Sequence, residues 1–126
     1  MKQNQNEIME FMQKAQQDCP VRPSLPSIEV CALRVKLIKE ELDELKDAMA
    51  ASDLVEVADA ITDILVVTLG TAVAFGIDIE PCWNEVHRSN MSKFIDGHKR
   101  EDGKWIKGPS YSPANLAPII KAQQTI

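Results

Sequence analysis

Residues 30–49 carry a helical pattern of apolar residues with two glutamates inside the apolar arc. At about 100° per residue, Glu41 and Glu44 fall within that arc, whereas Asp43 falls outside it. A carboxylate turned towards a core costs roughly several kcal/mol unless a cation or hydrogen bonds compensate it. The alternative is a solvated acidic face with i,i+4 ion pairs. The apolar positions are Val30, Leu33, Leu37, Ile38, Leu42, Leu45 and Met49.

A second acidic row follows in the next helical stretch, residues 53–76. Glu56, Asp59 and Asp63 stand at i, i+3 and i+7, on one side of that helix. Two acidic rows on consecutive helices predict a shared divalent cation. Because every candidate ligand is a carboxylate oxygen, Mg²⁺ or Mn²⁺ is favoured over Zn²⁺.

The remaining pattern predicts an all-α chain: a four-helix, bundle-like single domain over residues 1–126 with a short irregular C-terminal arm. The first helix is expected over residues 3–17 and ends at a proline-rich joint, residues 19–27. After Phe94 the chain favours turns and a short hairpin rather than a fifth long helix. The predicted capping and ending residues are Ser27, Ser52 or Asp53, Gly76 and Asp78.

The composition of the chain limits the kinds of partner that it is expected to bind. The net charge of −5 and the pI near 5.0 argue against nucleic acid and against an anionic membrane surface. The apolar segment 61–75 is expected to be too short and too closely flanked by acids to span a bilayer. Past Asp63 it is apolar on all sides, which predicts burial against a second subunit. Three scattered cysteines without a pairing framework predict free thiols and a cytoplasmic protein.

Groups that suit a phosphorylated ligand follow the acidic helices. Asn90 and Lys93 are one helical turn apart, and Lys107 and Tyr111 lie in the arm. Hard divalent ions held by few carboxylates leave positions open for phosphate oxygens, which suits cleavage of a phosphate ester or anhydride. No Walker A motif is present, so a nucleotide would bind through metal. The alternative interpretation of these polar residues is an ordinary solvated surface.

Taken in order, these motifs resemble the MazG-like branch of the all-α nucleoside triphosphate pyrophosphatases. Those proteins carry an E-x-x-E pair on one helix and an E-x-x-D pair on the next, which together bind Mg²⁺. The segment EELDEL supplies Glu41 and Glu44, and DAITDILVVTLGTAVAFGID is similar to the second metal helix. VHRSNMSKF and DGKWIKGPSYSP are similar to the substrate-binding end. The resemblance covers roughly residues 30–113.

One position departs from the family pattern. The family aspartate before an aliphatic pair matches Asp63, and the family glutamate three residues earlier then falls on Ala60. Either Asp59 takes its place, or the pair is Glu56 and Asp59. The interpretation favoured here is Asp63 with Asp59 in support.

The resemblance implies Mg²⁺-dependent hydrolysis of a nucleoside triphosphate, NTP or dNTP, to the monophosphate and pyrophosphate. It implies a house-cleaning role in the nucleotide pool. Glu41, Glu44, Asp59 and Asp63 would hold Mg²⁺ (Mn²⁺ as a substitute), and Glu40 would position or deprotonate the attacking water. The nucleotide would be held by Asn90, Lys93, Lys107 and Tyr111, and the protein would work as a homodimer or homotetramer. The alternatives are a related hydrolase of the phosphoribosyl-ATP or dUTP type and a non-catalytic helical oligomer.

Overall fold

The computed structural model describes residues 1–125, which form two compact units, residues 1–78 and residues 79–125. The first unit contains three helices, of which the second packs most extensively against the third. The second unit contains two helices and a two-stranded hairpin. The elements in chain order are α1 (Lys2–Lys14), α2 (Ile28–Ala50), α3 (Leu54–Ala74), α4 (Ile79–Ser92), β1 (His98–Lys99), β2 (Trp105–Ile106) and α5 (Ala117–Gln124).

Local capping chemistry sets the ends of α2 and α3. The Ser27 hydroxyl accepts a hydrogen bond from the Val30 N–H at 3.2 Å, and the Asp53 carboxylate accepts one from the Glu56 N–H at 3.1 Å. Ser52 has a left-handed φ of 54°, which turns the chain between the two helices. Gly76 has a φ of 69° and ends α3. The predicted roles of Ser27, Asp53 and Gly76 are confirmed.

The core of the first unit lies where α1 meets the C-terminal half of α3. Met12, Val73 and Ala74 are its buried centre, and Val30 of α2 packs against them. The Gln5 side chain donates a hydrogen bond to the Ile77 carbonyl at 2.6 Å, so α1 is tied to the segment that follows α3. The acidic residues of α3, Glu56, Asp59 and Asp63, lie in its N-terminal half, outside this core.

In the second unit, the hairpin is attached to the end of α4. The strands are antiparallel, with His98 opposite Ile106. The Trp105 indole N–H donates to the Lys93 carbonyl at 2.6 Å, and its ring lies 4.9 Å from the Phe94 ring. The hairpin therefore fixes Lys93 relative to the arm that follows.

An ion pair also holds the arm. The Glu85 carboxylate accepts two hydrogen bonds from Arg88, at 2.8 and 2.9 Å, and a third from the Asn115 N–H at 2.8 Å. Arg88 also donates to the Pro113 carbonyl at 3.2 Å. The Arg88 bonds, and then the Asn115 bond, lower the pKa of Glu85 to about 2 from its ordinary 4.5.

Because this pKa is lowered on folding, the stabilisation from Glu85 should be present above about pH 4.5 and lost as the pH falls towards about 2. An NMR titration of the Glu85 carboxyl carbon and the Asn115 amide proton should show one shared low transition. Arg88→Gln should move that transition upwards. An unchanged transition in Arg88→Gln would show that the pair does not set it.

The all-α class is confirmed, as is the short hairpin. The first helix ends at Lys14, three residues before the predicted end, because Gln16 adopts a left-handed φ of 60° ahead of the proline-rich joint. Helix α5 follows the turn-rich segment after Phe94 and was not predicted from the sequence. The assignment of residues 1–126 to a single domain stays a prediction.

Helix α3 combines length with apolar composition. Its 21 residues are long and apolar enough to cross a membrane by those criteria alone, a test that core helices of soluble proteins also pass. The expected absence of a membrane partner therefore stays a prediction. Apolar side chains are exposed along the first two thirds of the helix; they are Leu54, Val55, Ile61, Leu65 and Val66.

Candidate metal centre

Three carboxylates from α2 and α3 meet in the first unit. One oxygen each from Glu41, Glu44 and Asp63 lies within 4.8 Å of the others. Glu41 and Glu44 are one turn apart on α2, and Asp63 comes from the facing helix. Glu41 and Asp63 are half-buried, whereas Glu44 is exposed. We call this group the carboxylate cluster.

The surroundings of Glu41 disfavour the charged form of its carboxyl group. Its Oε2 atom is buried and has no hydrogen-bond partner among residues 1–125. Burial is the largest cause that raises the pKa of Glu41, followed by a hydrogen bond with Glu44 and by the charges of Glu44, Asp63 and Asp59. A cation, a proton or a water molecule could satisfy an unpartnered oxygen in such a place.

The cluster fits a hard divalent cation. All of its donors are carboxylate oxygens, the ligand type that Mg²⁺ and Mn²⁺ prefer. The orphaned Glu41 oxygen would gain a partner, and the repulsion that raises the pKa of Glu41 would be relieved. Glu41, Glu44 and Asp63 are therefore the residues that could hold the ion.

The other predicted acids lie outside the cluster. Asp59 is exposed and acts on Glu41 through its charge. With Glu44 and Glu56 it lines an acidic cleft of about 500 Å³, where Ala60 is 3% exposed. Glu40 is exposed on α2, and its carboxylate is 4.0 Å from the Lys36 ammonium.

Three of the four predicted nucleotide contacts come together in the second unit. The Lys107 ammonium lies 4.4 Å from the centre of the Tyr111 ring, and the Lys93 ammonium lies 5.9 Å from it. Asn90 is exposed on α4. Two cations on one aromatic ring can offer both charge and a stacking surface to a phosphorylated ligand.

Comparison with protein families identifies the chain. The family described as phosphoribosyl-ATP pyrophosphohydrolase (PRA-PH) matches residues 6–90, about two thirds of the sequence. The chain belongs to the PRA-PH family. That family is part of the MazG-like all-α pyrophosphatase superfamily, so the suspected kinship is confirmed.

A curated relative is similar over a shorter stretch. The uncharacterized protein L479 of Acanthamoeba polyphaga mimivirus is 48% identical over 48 residues. The match covers 38% of this chain and 19% of the relative, so the chain spans about a fifth of that protein.

PRA-PH membership gives the chemistry in general terms. The family is described as one of pyrophosphohydrolases, which are hydrolases that act on phosphoanhydrides. The prediction of a pyrophosphohydrolase family is therefore confirmed, while the activity of the whole protein, its substrate and its metal stay predictions. The ligand roles of Glu41, Glu44, Asp59 and Asp63 likewise stay predictions, although the structure brings three of the four together.

Sequence reasoning missed two residues that shape this PRA-PH protein. Trp105 attaches the hairpin to the Lys93 carbonyl, a contact that no local sequence pattern predicts. Arg34 is 6% exposed on α2, and burial lowers the pKa of its guanidinium. A signal for Arg34 was available, because it stands seven residues before Glu41 and therefore on the same side of α2.

Without metal, the cluster should destabilise this PRA-PH protein. In EDTA at neutral pH, Glu44→Gln should raise the thermal midpoint or leave it unchanged, because one of the repelling charges is removed. Adding Mg²⁺ should then stabilise the wild type more than the variant.

Thermal unfolding followed by circular dichroism, with Asp43→Asn as an exposed control on the same helix, measures both effects. A clear loss of metal-free stability in Glu44→Gln would instead assign that side chain a structural role.

Proposed function

We propose that the protein is a Mg²⁺-dependent nucleoside triphosphate pyrophosphohydrolase that converts an NTP or dNTP to the monophosphate and pyrophosphate, with Mn²⁺ as a substitute ion. The observation that carries the proposal is the carboxylate cluster with its orphaned Glu41 oxygen. Membership of a pyrophosphohydrolase family supports the same reaction class.

The reaction needs negative charge to be neutralised at the phosphates. When bound, Mg²⁺ supplies charge neutralisation and polarises phosphate oxygens. Glu41, Glu44 and Asp63 would hold the ion, and Asp59 adds negative charge beside them. Three carboxylate ligands leave coordination positions of such an ion open for water and phosphate oxygens.

In the proposed reaction, a water oxygen attacks the α-phosphorus, the bond to the α–β bridging oxygen breaks, and pyrophosphate leaves. Glu40 is proposed to orient the water and to accept its proton. Its position next to Glu41 in the chain and its exposure to solvent support this role. Its 4.0 Å approach to Lys36 leaves the carboxylate able to reorient.

The second unit is proposed to bind the nucleotide through Lys93, Lys107 and Tyr111, with Asn90 as a further polar contact. The ammonium groups around the Tyr111 ring support this assignment, because lysines attract phosphates.

A second candidate substrate is favoured by the family match itself. The PRA-PH description names phosphoribosyl-ATP, which is cleaved between the same pair of phosphates. The dUTP alternative and a non-catalytic helical oligomer have no comparable observation behind them, although Ala60 at a family glutamate position fits the latter.

Pyrophosphate release from a panel of triphosphates tests the proposal. The panel contains the ribo- and deoxyribonucleoside triphosphates, several damaged bases and phosphoribosyl-ATP, each with Mg²⁺ and with EDTA. The proposal expects release from triphosphates that stops in EDTA. Release from phosphoribosyl-ATP alone would favour phosphoribosyl-ATP as the substrate. No release from any compound would exclude both candidate activities.

A homodimer or homotetramer in the cytoplasm completes the proposal. Exposed apolar side chains on α2 and α3, such as Met49, Leu54 and Leu65, would be covered by a second copy. None of the three cysteines forms a disulfide within residues 1–125, which fits a reducing compartment. Sedimentation equilibrium should give a mass of two or four chains, and a monomer at micromolar concentration would contradict it.

A further inference from the structure

A pocket of about 530 Å³ lies in the first unit, beside the N-terminal half of α2. We call it the N-terminal pocket. Apolar side chains from three helices form much of its wall, including Met12, Val30, Leu33 and Ala74. Asp18, which is exposed, also lines it. Apolar walls with a few polar groups are typical of a site for a small organic ligand.

Arg34 is the buried cation of this pocket. Its Nε atom donates to the Thr71 hydroxyl at 3.2 Å, and its Nη2 atom donates to the Val67 carbonyl at 2.9 Å. Within residues 1–125 it forms no ion pair and no other hydrogen bond. A guanidinium has five N–H groups, so those on Nη1 and one on Nη2 remain available for an acceptor.

Gly70 makes this arrangement possible. A Cβ at Gly70 would overlap Nη2 of Arg34 and would lie 3.2 Å from Cζ. The guanidinium is therefore seated against the backbone of α3 and bonded along its Nε–Nη2 edge. The N–H groups of Nη1 and the second N–H of Nη2 have no hydrogen-bond acceptor within residues 1–125, and one donor from each nitrogen lies side by side at the end of the guanidinium.

We propose that the N-terminal pocket binds the guanine base of a nucleoside triphosphate, with Arg34 donating to O6 and N7. This inference rests on the proposed function and specifies its substrate. Two adjacent donors match the two adjacent acceptors of guanine, the geometry by which arginine reads this base elsewhere. Adenine presents an amino donor beside N7, which opposes the second donor of Arg34. The Asp18 carboxylate would accept from the N–H groups of guanine.

The position of Arg34 on α2 fits a nucleotide that also reaches the carboxylate cluster. Arg34 and Glu41 are two turns apart on one side of the helix, about 10.5 Å along its axis. That distance is within reach of the sugar and phosphates of a nucleotide whose base lies at Arg34. A bare phosphate at Arg34 fits less well, because the walls are apolar and Asp18 would repel it.

Binding of nucleosides, which carry no phosphate, separates this inference from the hydrolase proposal. NMR shift titrations of the full chain in EDTA would compare guanosine, inosine, 7-deazaguanosine and adenosine. Guanosine should bind at least about tenfold more tightly than adenosine and than 7-deazaguanosine, which lacks the N7 acceptor. Inosine, which lacks the N2 amino group, should be weakened in the wild type and much less so in Asp18→Asn.

Arg34→Lys keeps the positive charge but loses the pair of parallel N–H donors. The variant should therefore bind guanosine and 7-deazaguanosine with equal affinity, because it no longer contacts N7 together with O6. A merely structural role of Arg34 would lower binding of both nucleosides by the same factor. Equal binding of guanosine and adenosine by the wild type, or no binding of guanosine, overturns the inference even if Arg34→Lys fails to fold. Guanosine selectivity without any pyrophosphate release would overturn the proposed function alone.

Discussion

Glu41→Gln is expected to lower Mg²⁺-dependent pyrophosphate release by about 100-fold or more, since a metal contributes several kcal/mol to charge stabilisation in phosphoryl chemistry. Glutamine keeps the shape of the side chain and removes its charge. The effect should fall mainly on kcat, because the ion acts on the charge that develops during the reaction. Steady-state kinetics with a pyrophosphate-coupled assay measures it.

Asp43→Asn is the matched control for Glu41→Gln. It removes the same charge from the same helix, but Asp43 is exposed and lies outside the carboxylate cluster. Its rate should stay within about twofold of the wild type, because exposed charges are strongly screened. Equal losses in the two variants would show that net charge on α2, rather than a ligand at Glu41, controls the rate.

Gly76→Ala is expected to destabilise the first unit by about 2 kcal/mol or more. Gly76 has a φ of 69°, which costs a residue with a Cβ conformational energy. That Cβ would also overlap the Arg22 carbonyl and lie 3.1 Å from the Pro20 carbonyl oxygen. Both neighbours are backbone, so the proline-rich joint would have to move. Urea unfolding followed by circular dichroism reports the loss.

Gly103→Ala separates the two causes. Gly103 has a comparable left-handed φ of 91°, but the nearest atom to a Cβ there is the end of the Lys99 side chain at 4.0 Å. It should show only the smaller conformational cost, about 1 kcal/mol. A loss at Gly76 no larger than that at Gly103 would mean that the joint does not pack tightly against the end of α3.

The long helices and several of their ends were predictable because local chemistry determines them. Ser27, Asp53 and Gly76 act through their own side chain or φ within a few residues of the chain. Gln16 shows the limit of such rules, since its left-handed φ ends α1 without any glycine or proline at that position.

The carboxylate cluster was predictable in part. Helical periodicity places Glu41, Glu44 and Asp63 on facing sides of consecutive helices, and the structure brings those three together. Periodicity gives the side of a helix but not the depth of each position at the seam, so it could not separate Asp59 from Asp63. It also could not show that Arg34 would lie against Gly70, because that contact depends on how closely α2 and α3 approach.

Calorimetric titration with Mn²⁺ tests the central claim most directly, because it detects the ion without requiring a substrate. The wild type and Asp43→Asn should bind Mn²⁺ with the same affinity, and Glu41→Gln should bind it at least about tenfold more weakly. Indistinguishable Mn²⁺ affinity in all three proteins would contradict the assignment of the cation to Glu41, Glu44 and Asp63.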